Sequence, residues 1–517
     1  MKRMIAATLT LALTTAALAG CAANAAAPTD DQNTVAAATM SNETGKTPKY
    51  VFLFIGDGMS YPQIQSTSDY LGALNDADYW QAQPSLDDNQ GAILDGPEYL
   101  NFMNFEGVGT AVTFDSNSFA PDSASTATSI ATGHKTYSGS INVDETGTVE
   151  YETIAEQLKA QKGYEIGVIT SVNLNHATPA AFYAHQASRS SYYEIGLEMV
   201  ESDFDYFAGG GLLDPTGSEG DQTDLYQLAQ EAGYTVARTY AEADAISADT
   251  DKAIIIEENL ADSDAIPYEI DRTDDMWSLA DYVEKGIEVL DNDTGFFMMC
   301  EGGKIDWACH ANDAGSSIHD TQALADAVQV AIDFAAEHPD ETLILVTGDH
   351  ETGGLTIGFA GTDYDTYLDL LENQKISYAK FDSDYVASYK ENKTPFEDVL
   401  SDIEELFGLK AQGAADDKLV LTEYEMEQLR AAYEKSVNGT AASQYEQEEY
   451  VLYGTYEPLS VTITHIINNK SGISFTSYSH TGLPVAVLAE GVGAENFSGY
   501  YDNTQIYEKM ADLLNIA

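Results

Sequence analysis

Tyr50-Val51-Phe52-Leu53-Phe54-Ile55-Gly56-Asp57-Gly58 is the stretch that decides the fold. Its run from 50 to 55 has no polar interruption, the pattern of a strand covered on both faces rather than one with a wet side. Such a strand requires helices above and below its sheet. Gly56-Asp57-Gly58 then closes the run with an Asp-Gly turn, a common strand terminator, so Asp57 alone carries little information.

The same grammar recurs along the chain. Short apolar runs at 166–170, 253–256, 296–299, 342–346 and 485–489 read as buried strands. Helical patterns at 153–162, 224–232, 277–290 and 321–337 lie between several of them. The expected fold is therefore α/β, with a large, mostly parallel central sheet and helices on both faces. Ligands of open α/β sheets bind beyond the carboxyl ends of strands. Asp57, His176 with Thr178, Glu301, and Asp349 with His350 each follow a predicted strand. Four strands thus deliver acids or histidines toward one rim.

Residues 361–450 break the pattern. They are acidic, rich in Tyr and Glu, and carry one clear helix signal at 422–435, where Thr422 and Glu425 fit a capping box. The stretch reads either as an inserted cap over the sheet edge or as a solvated excursion.

The formal charge of −62 argues against nucleic acid or an anionic membrane surface as a partner. It fits an acidic, solvated coat. Any phosphate site must overcome that field locally, with cations or arginine. Lys2 and Arg3, followed by an apolar stretch at 5–18, read as an export signal too short to span a membrane. The signal ends in Leu18-Ala19-Gly20-Cys21, similar to the lipobox of bacterial lipoproteins, which implies a lipidated Cys21; the alternative is ordinary cleavage near Ala26 or Ala27. The expected division is a signal at 1–20, a flexible tether at 21–47, and a catalytic domain at 48–517 carrying the insertion. The two remaining cysteines, Cys300 and Cys309, make no disulfide framework. They flank Glu301 and His310, so a Cys/His zinc site competes with the plainer reading of two buried small hydrophobes.

The chemistry-bearing residues fall into three groups. Asp306 and His310 are spaced to share one face of a helical turn, a set that suits zinc with His480 as third ligand, although a surface Asp/His contact has the same spacing. Asp349 and His350 offer a second ion site that Asp57 could bridge. Glu301, Thr178 and Asp57 present only oxygens and suit magnesium, while Thr178, preceding Pro179, also fits a helix cap. Ser123 stands where Pro121-Asp122 gives way to an Ala/Thr/Ser helix pattern, so it is either an N-cap or a hydroxyl placed beside a bound anion. Arg189 has the fork to grip two phosphate oxygens, or to make a surface salt bridge.

Taken together and in order, these motifs resemble the bacterial and animal alkaline phosphatase family, over 48–515 except the 361–450 stretch. The resemblance implies Ser123 as the phosphorylated nucleophile and Arg189 on the substrate phosphate. It implies zinc on Asp306, His310 and His480, a second zinc on Asp57, Asp349 and His350, and magnesium on Asp57, Thr178 and Glu301. It further implies small phosphate monoesters as substrates and a homodimer, reaching a membrane only through a lipid anchor. Members that favour magnesium most strongly carry Asp and Lys where this chain has His176 and Trp307, a departure that bears on the third metal and implies a more open phosphate pocket. A sulfatase of the same superfamily would need a Cys/Ser-x-Pro-x-Arg context that Ser123 lacks. A diesterase, or a phosphate-binding lipoprotein without turnover, are the remaining alternatives.

Overall fold

The computed structural model describes residues 46–76, 79, 94–439 and 447–516. The expected signal, Cys21 and nearly all of the tether lie outside the described residues. In chain order the strands are β1 (Tyr50–Gly56), β2 (Gly107–Val112), β3 (Glu165–Asn173), β4 (Tyr206–Gly210), β5 (Thr235–Ala237), β6 (Ala253–Ile256), β7 (Phe296–Gly302), β8 (Thr342–Gly348), the two-residue β9 (Glu351–Thr352), β10 (Thr356–Ile357), β11 (Ile473–Ser474) and β12 (His480–Thr481), then β13 (Val485–Gly491) and β14 (Gly499–Asp502). Ten of them form one sheet in the order β14-β2-β13-β8-β1-β7-β3-β4-β6-β5. Only β13 runs antiparallel to its neighbours, β2 and β8.

β1 lies at the centre, between β7 and β8. Successive side chains of a strand point to opposite faces, and here they supply two cores. Val51, Leu53 and Ile55 pack with residues of the Ser123–Thr132, Ile154–Lys162 and Thr504–Leu514 helices. Tyr50, Phe52 and Phe54 pack with residues of the Leu279–Leu290 and Ala314–Glu337 helices on the other side. Each such fully buried side chain contributes roughly 1.5–3 kcal/mol over an exposed one, which is why the continuous apolar run is stable only when covered on both sides.

Four sheet strands escaped the sequence reading. β2 and β4 are glycine-rich for a steric reason: a Cβ at Gly107 would fall 2.3 Å from the Ala494 carbonyl, and one at Gly209 2.3 Å from that of Thr170. β5 and β14 are only three and four residues long. The Ala314–Glu337 helix starts seven residues before the expected 321, because its first turns, Ala314-Gly315-Ser316-Ser317, carry no apolar period and the end is set by the Asp313 side chain accepting from the Ser316 N–H.

The described part of the 361–450 stretch has a core of its own. Its Tyr378–Phe381, Phe396–Phe407 and Glu423–Tyr433 helices share a core with Pro458–Ser471, built from Phe381, Val399, Ile403, Phe407, Leu429 and Ile463. The same core takes in Tyr70 and Ile318, which anchors this helical lobe to the main body. The lobe therefore runs on past 450 into Pro458–Ser471. The Thr422–Glu425 capping box is present.

Candidate active site

Register builds the site. Gly56 of β1 pairs with Gly302 of β7 and Gly348 of β8, so the three strands end level. Asp57 and Asp349 are the next residues, and Glu301 pairs with Ile55 and with Thr170 of β3 just below. The turns are held by glycine: a Cβ on Gly348 would lie 1.8 Å from the Met59 carbonyl oxygen. Gly58, at φ +70, donates its N–H to Asp349 Oδ1 at 3.1 Å.

These carboxyl groups are wholly buried and crowd one another. Burial pushes Asp57 well above the usual carboxylate range, and Asp349, Asp306 and Glu301 push it further. Burial likewise lifts Glu301 to about 7. Packing unpaired acids together costs several kcal/mol each unless a cation compensates them.

The histidines point the same way. His310 Nδ1 lies 2.6 Å from the Tyr478 carbonyl oxygen and His480 Nδ1 2.5 Å from that of Pro121. A carbonyl only accepts, so both Nδ1 atoms carry protons and the two Nε2 atoms face each other at 3.0 Å. Two nitrogen lone pairs do not sit so close unaided; a proton or a cation must lie between them. Asp306 supplies oxygens 3.3 Å from His310 Nε2 and 3.5 Å from His480 Nε2. Burial and neighbouring His350 hold His480 down to about 3, as the neutral ligand form. His350 repeats the arrangement: its Nδ1 is 3.3 Å from the Thr352 hydroxyl, which itself donates to Asp306. Its Nε2 faces Asp57 Oδ1 at 3.2 Å and Asp349 Oδ2 at 3.4 Å. Fixing a ring through one nitrogen so that the other is free is the usual second support of a metal-binding histidine. Two donor groups thus converge, Asp306 with His350 and His480, and Asp57 with Asp349 and His350; His310, expected in the first, adjoins it through its contacts to His480 and Asp306.

The oxygen-only set also assembles. The Thr178 hydroxyl is 3.5 Å from Asp57 Oδ2, and Glu301 Oε2 accepts from Thr170 while, among the described residues, its buried Oε1 has no hydrogen-bond partner. An orphaned carboxylate oxygen beside a hydroxyl and a second carboxylate fits a hard cation. Thr178 is not a helix cap: His176 occupies that position and Thr178 is the second residue of Ala177–Ala180. Cys300 and Cys309 lie outside these groups, buried and free, with the Cys309 thiol against Ser317 Oγ at 3.3 Å.

Ser123 is the first residue of its helix, and Asp122 is the cap. Its Oγ lies 3.2 Å from His350 Nε2 and 3.5 Å from Asp57 Oδ1. Asp122 Oδ1 accepts from the Ser125 and Gly139 N–H groups, and Oδ2 takes Arg189 Nη1 at 2.8 Å. Burial would raise the Asp122 carboxyl, but Arg189 outweighs it and holds the group below the usual carboxylate range. Arg189 Nη2 donates to His176 Nε2 at 3.3 Å, and the Trp307 ring stands edge-on to His176 at 5.9 Å. The guanidinium is therefore braced from two sides.

Ser123, Arg189, His176, Trp307, Asp306, His310 and His480 line one cleft of about 350 Å³. Sequence reasoning missed Asp122, which only its adjacency to Ser123 could have suggested. It also missed Asp262, Ser263, Tyr378 and Tyr456 on the cleft wall. Their sequence distance from every motif left no signal.

The sheet's carboxyl-end rim thus gathers donor groups suited to metal ions, and comparison with known proteins gives them a class. The family model for alkaline phosphatase matches residues 48–516. Alkaline phosphatase 3 of Bacillus subtilis is 30% identical over 469 residues, 89% of this chain and 87% of that one. A cold-active alkaline phosphatase from a psychrophilic Shewanella superposes with a TM-score of 0.70 at 29% identity, covering 90% of this chain and 99% of the other. A histidine-to-glutamate variant of the alkaline phosphatase of the Antarctic bacterium TAB5, solved with Mg bound in its M3 site, is 25% identical with a TM-score of 0.59, over 91% and 99% of the two chains. This chain belongs to the alkaline phosphatase family, the metal-dependent phosphoric monoester hydrolases.

Proposed function

We propose that the chain hydrolyses small phosphate monoesters through a phosphoserine on Ser123. One observation carries the proposal: the Ser123 hydroxyl, at the first turn of a helix, opens into the cleft within 3.5 Å of both His350 and Asp57. Zinc held by Asp306, His310 and His480, a second zinc held by Asp57, Asp349 and His350, and magnesium held by Asp57, Thr178 and Glu301 would polarise the phosphate and ready the hydroxyl for attack. The remaining work belongs to the chain. Arg189, pinned by Asp122 and His176, grips two phosphate oxygens and fixes the phosphorus in line with Ser123 Oγ. The helix N-terminus adds free N–H groups and positive potential beneath those oxygens. The Oγ–P bond forms as the ester P–O bond breaks, releasing the alcohol, and water then splits the phosphoserine to give inorganic phosphate. His176 and Trp307 shape the phosphate pocket in place of an acid and a lysine. Ser123→Ala tests this reading: turnover of a chromogenic monoester should vanish, and survival of both turnover and acid-stable phosphoprotein would defeat it.

Export, lipidation at Cys21 and homodimer formation complete the proposal. The first two rest on the charged, apolar and Leu-Ala-Gly-Cys sequence of the N-terminus, the last on the family. Among the described residues no helix is long and apolar enough to cross a membrane. Labelled fatty acid should enter the wild type and not Cys21→Ser, and light scattering should give twice the chain mass.

A further inference from the structure

Three aromatic rings from separate parts of the chain meet on one side of the cleft. Trp307 belongs to the Lys304–His310 helix, Tyr378 opens a helix of the lobe, and Tyr456 precedes the Pro458–Ser471 helix. They share a small apolar cluster with Tyr268. Each is held by its neighbours. Tyr378 meets Tyr456 edge-on at 5.7 Å, and its oxygen accepts from the Tyr268 hydroxyl at 3.3 Å. Trp307 has the fully buried Lys304 Nζ 4.7 Å from its ring centroid, and that ammonium is itself fixed on Asp262 at 2.6 Å. Tyr456 is half-buried, meets Tyr378 edge-on, stacks on Tyr478 at 6.3 Å, and lines the cleft together with Asp306 and His310.

We infer that Trp307, Tyr378 and Tyr456 form a seat for the organic part of the ester, and that it selects monoesters carrying a flat, uncharged aromatic ring near the ester oxygen. This rests on the phosphomonoesterase reading of the same cleft. Rigid rings held by neighbours bind a further ring without having to be ordered first. The overall charge of −62 disfavours an organic group bearing a second anion. The lobe thus supplies substrate choice while the sheet supplies chemistry.

Benzyl phosphate and butyl phosphate share an alkyl leaving oxygen and differ in the ring. The ratio of their kcat/KM values should favour benzyl in the full chain loaded with zinc and magnesium. That ratio should fall about fivefold in Tyr456→Ala and stay within twofold in Tyr456→Phe, the scale of one aromatic pair. On the unaltered enzyme, benzylphosphonate should inhibit about fivefold more tightly than butylphosphonate, which needs no variant to fold. An unchanged ratio in Tyr456→Ala, or equal inhibition by the two phosphonates, overturns the inference while leaving the phosphatase reading intact. No turnover of either ester by the wild type overturns that reading and the inference with it.

Discussion

Replacing Asp122 with Asn removes one charge and keeps a side chain of nearly the same shape. Oδ1 of Asp122 serves the backbone, accepting from the Ser125 and Gly139 N–H groups at 3.1 and 2.9 Å. Oδ2 serves Arg189 at 2.8 Å. Asn can retain the first role, but its amide NH2 would then face the guanidinium donor with donor. A charge-assisted hydrogen bond of this kind contributes roughly 1.5–3 kcal/mol. The pair is about a fifth to a quarter exposed (24% for Arg189, 20% for Asp122), and His176 still braces the other nitrogen, so the lower end applies. About 1.5 kcal/mol of positioning is lost, close to tenfold in affinity. The assay is competitive inhibition by inorganic phosphate, the ligand proposed to meet the fork: its inhibition constant should rise about tenfold in Asp122→Asn. Asp122→Ala should do the same and also lose about 1 kcal/mol of stability with the cap. On an Arg189→Ala background, Asp122→Asn should cost almost nothing further, because the carboxylate acts through the guanidinium. Full additivity of the two losses, or an unchanged phosphate constant, would refute the reasoning.

Other outcomes follow from the same geometry. Lys304→Met removes the wholly buried ammonium and leaves Asp262, 30% exposed, to water; stability measured by denaturant should fall by about 1.5 kcal/mol, the loss of one charge-assisted hydrogen bond, and no fall would mean the pair is dispensable. His185 lies between Glu156 and Glu198, at 3.5 and 3.4 Å, and although burial lowers it these acids lift its pKa to about 10. A raised histidine stabilises the fold fully below its unfolded value, near 6.5, and that stabilisation disappears as pH climbs through about 10. His185→Gln should therefore lose roughly 2 kcal/mol at pH 7 and show a flatter decline in stability from pH 7 to 10 than the wild type; parallel curves would reject the assignment. Chelation should abolish turnover and lower the melting temperature together, since the crowded Asp57, Asp349 and Glu301 lose their compensation. Zinc alone should restore less activity than zinc with magnesium, and full activity after exhaustive chelation would exclude the donor groups as metal sites.

How much of this was legible depended on whether the signal was local. Twice-buried strands such as 50–56 and 342–348 announce themselves, because burial on both faces forces an uninterrupted apolar run. Asp57, Glu301 and Asp349 were placed at one rim by their position just past such runs. β2 and β4 stayed hidden because close backbone approach demanded glycine where strand-forming residues would have been the signal. The caps at Ser123 and Thr178 were each off by a residue or two: Asp122 and His176 hold the true cap positions, a difference that apolar periodicity does not record. Thr352, braced between His350 and Asp306, and Tyr456, far from every motif, owe their roles to contacts made only after folding. The lobe's continuation into 458–471 was missed for the same reason, since its core is shared between segments that look unrelated in sequence.

The most direct measurement is acid quenching of the metal-loaded enzyme during turnover of a monoester labelled in its phosphate, followed by mapping of the label. The account predicts up to one phosphate per chain, on Ser123, absent from Ser123→Ala. Brisk turnover with label on another residue, or on none under conditions that trap the intermediate, would contradict it.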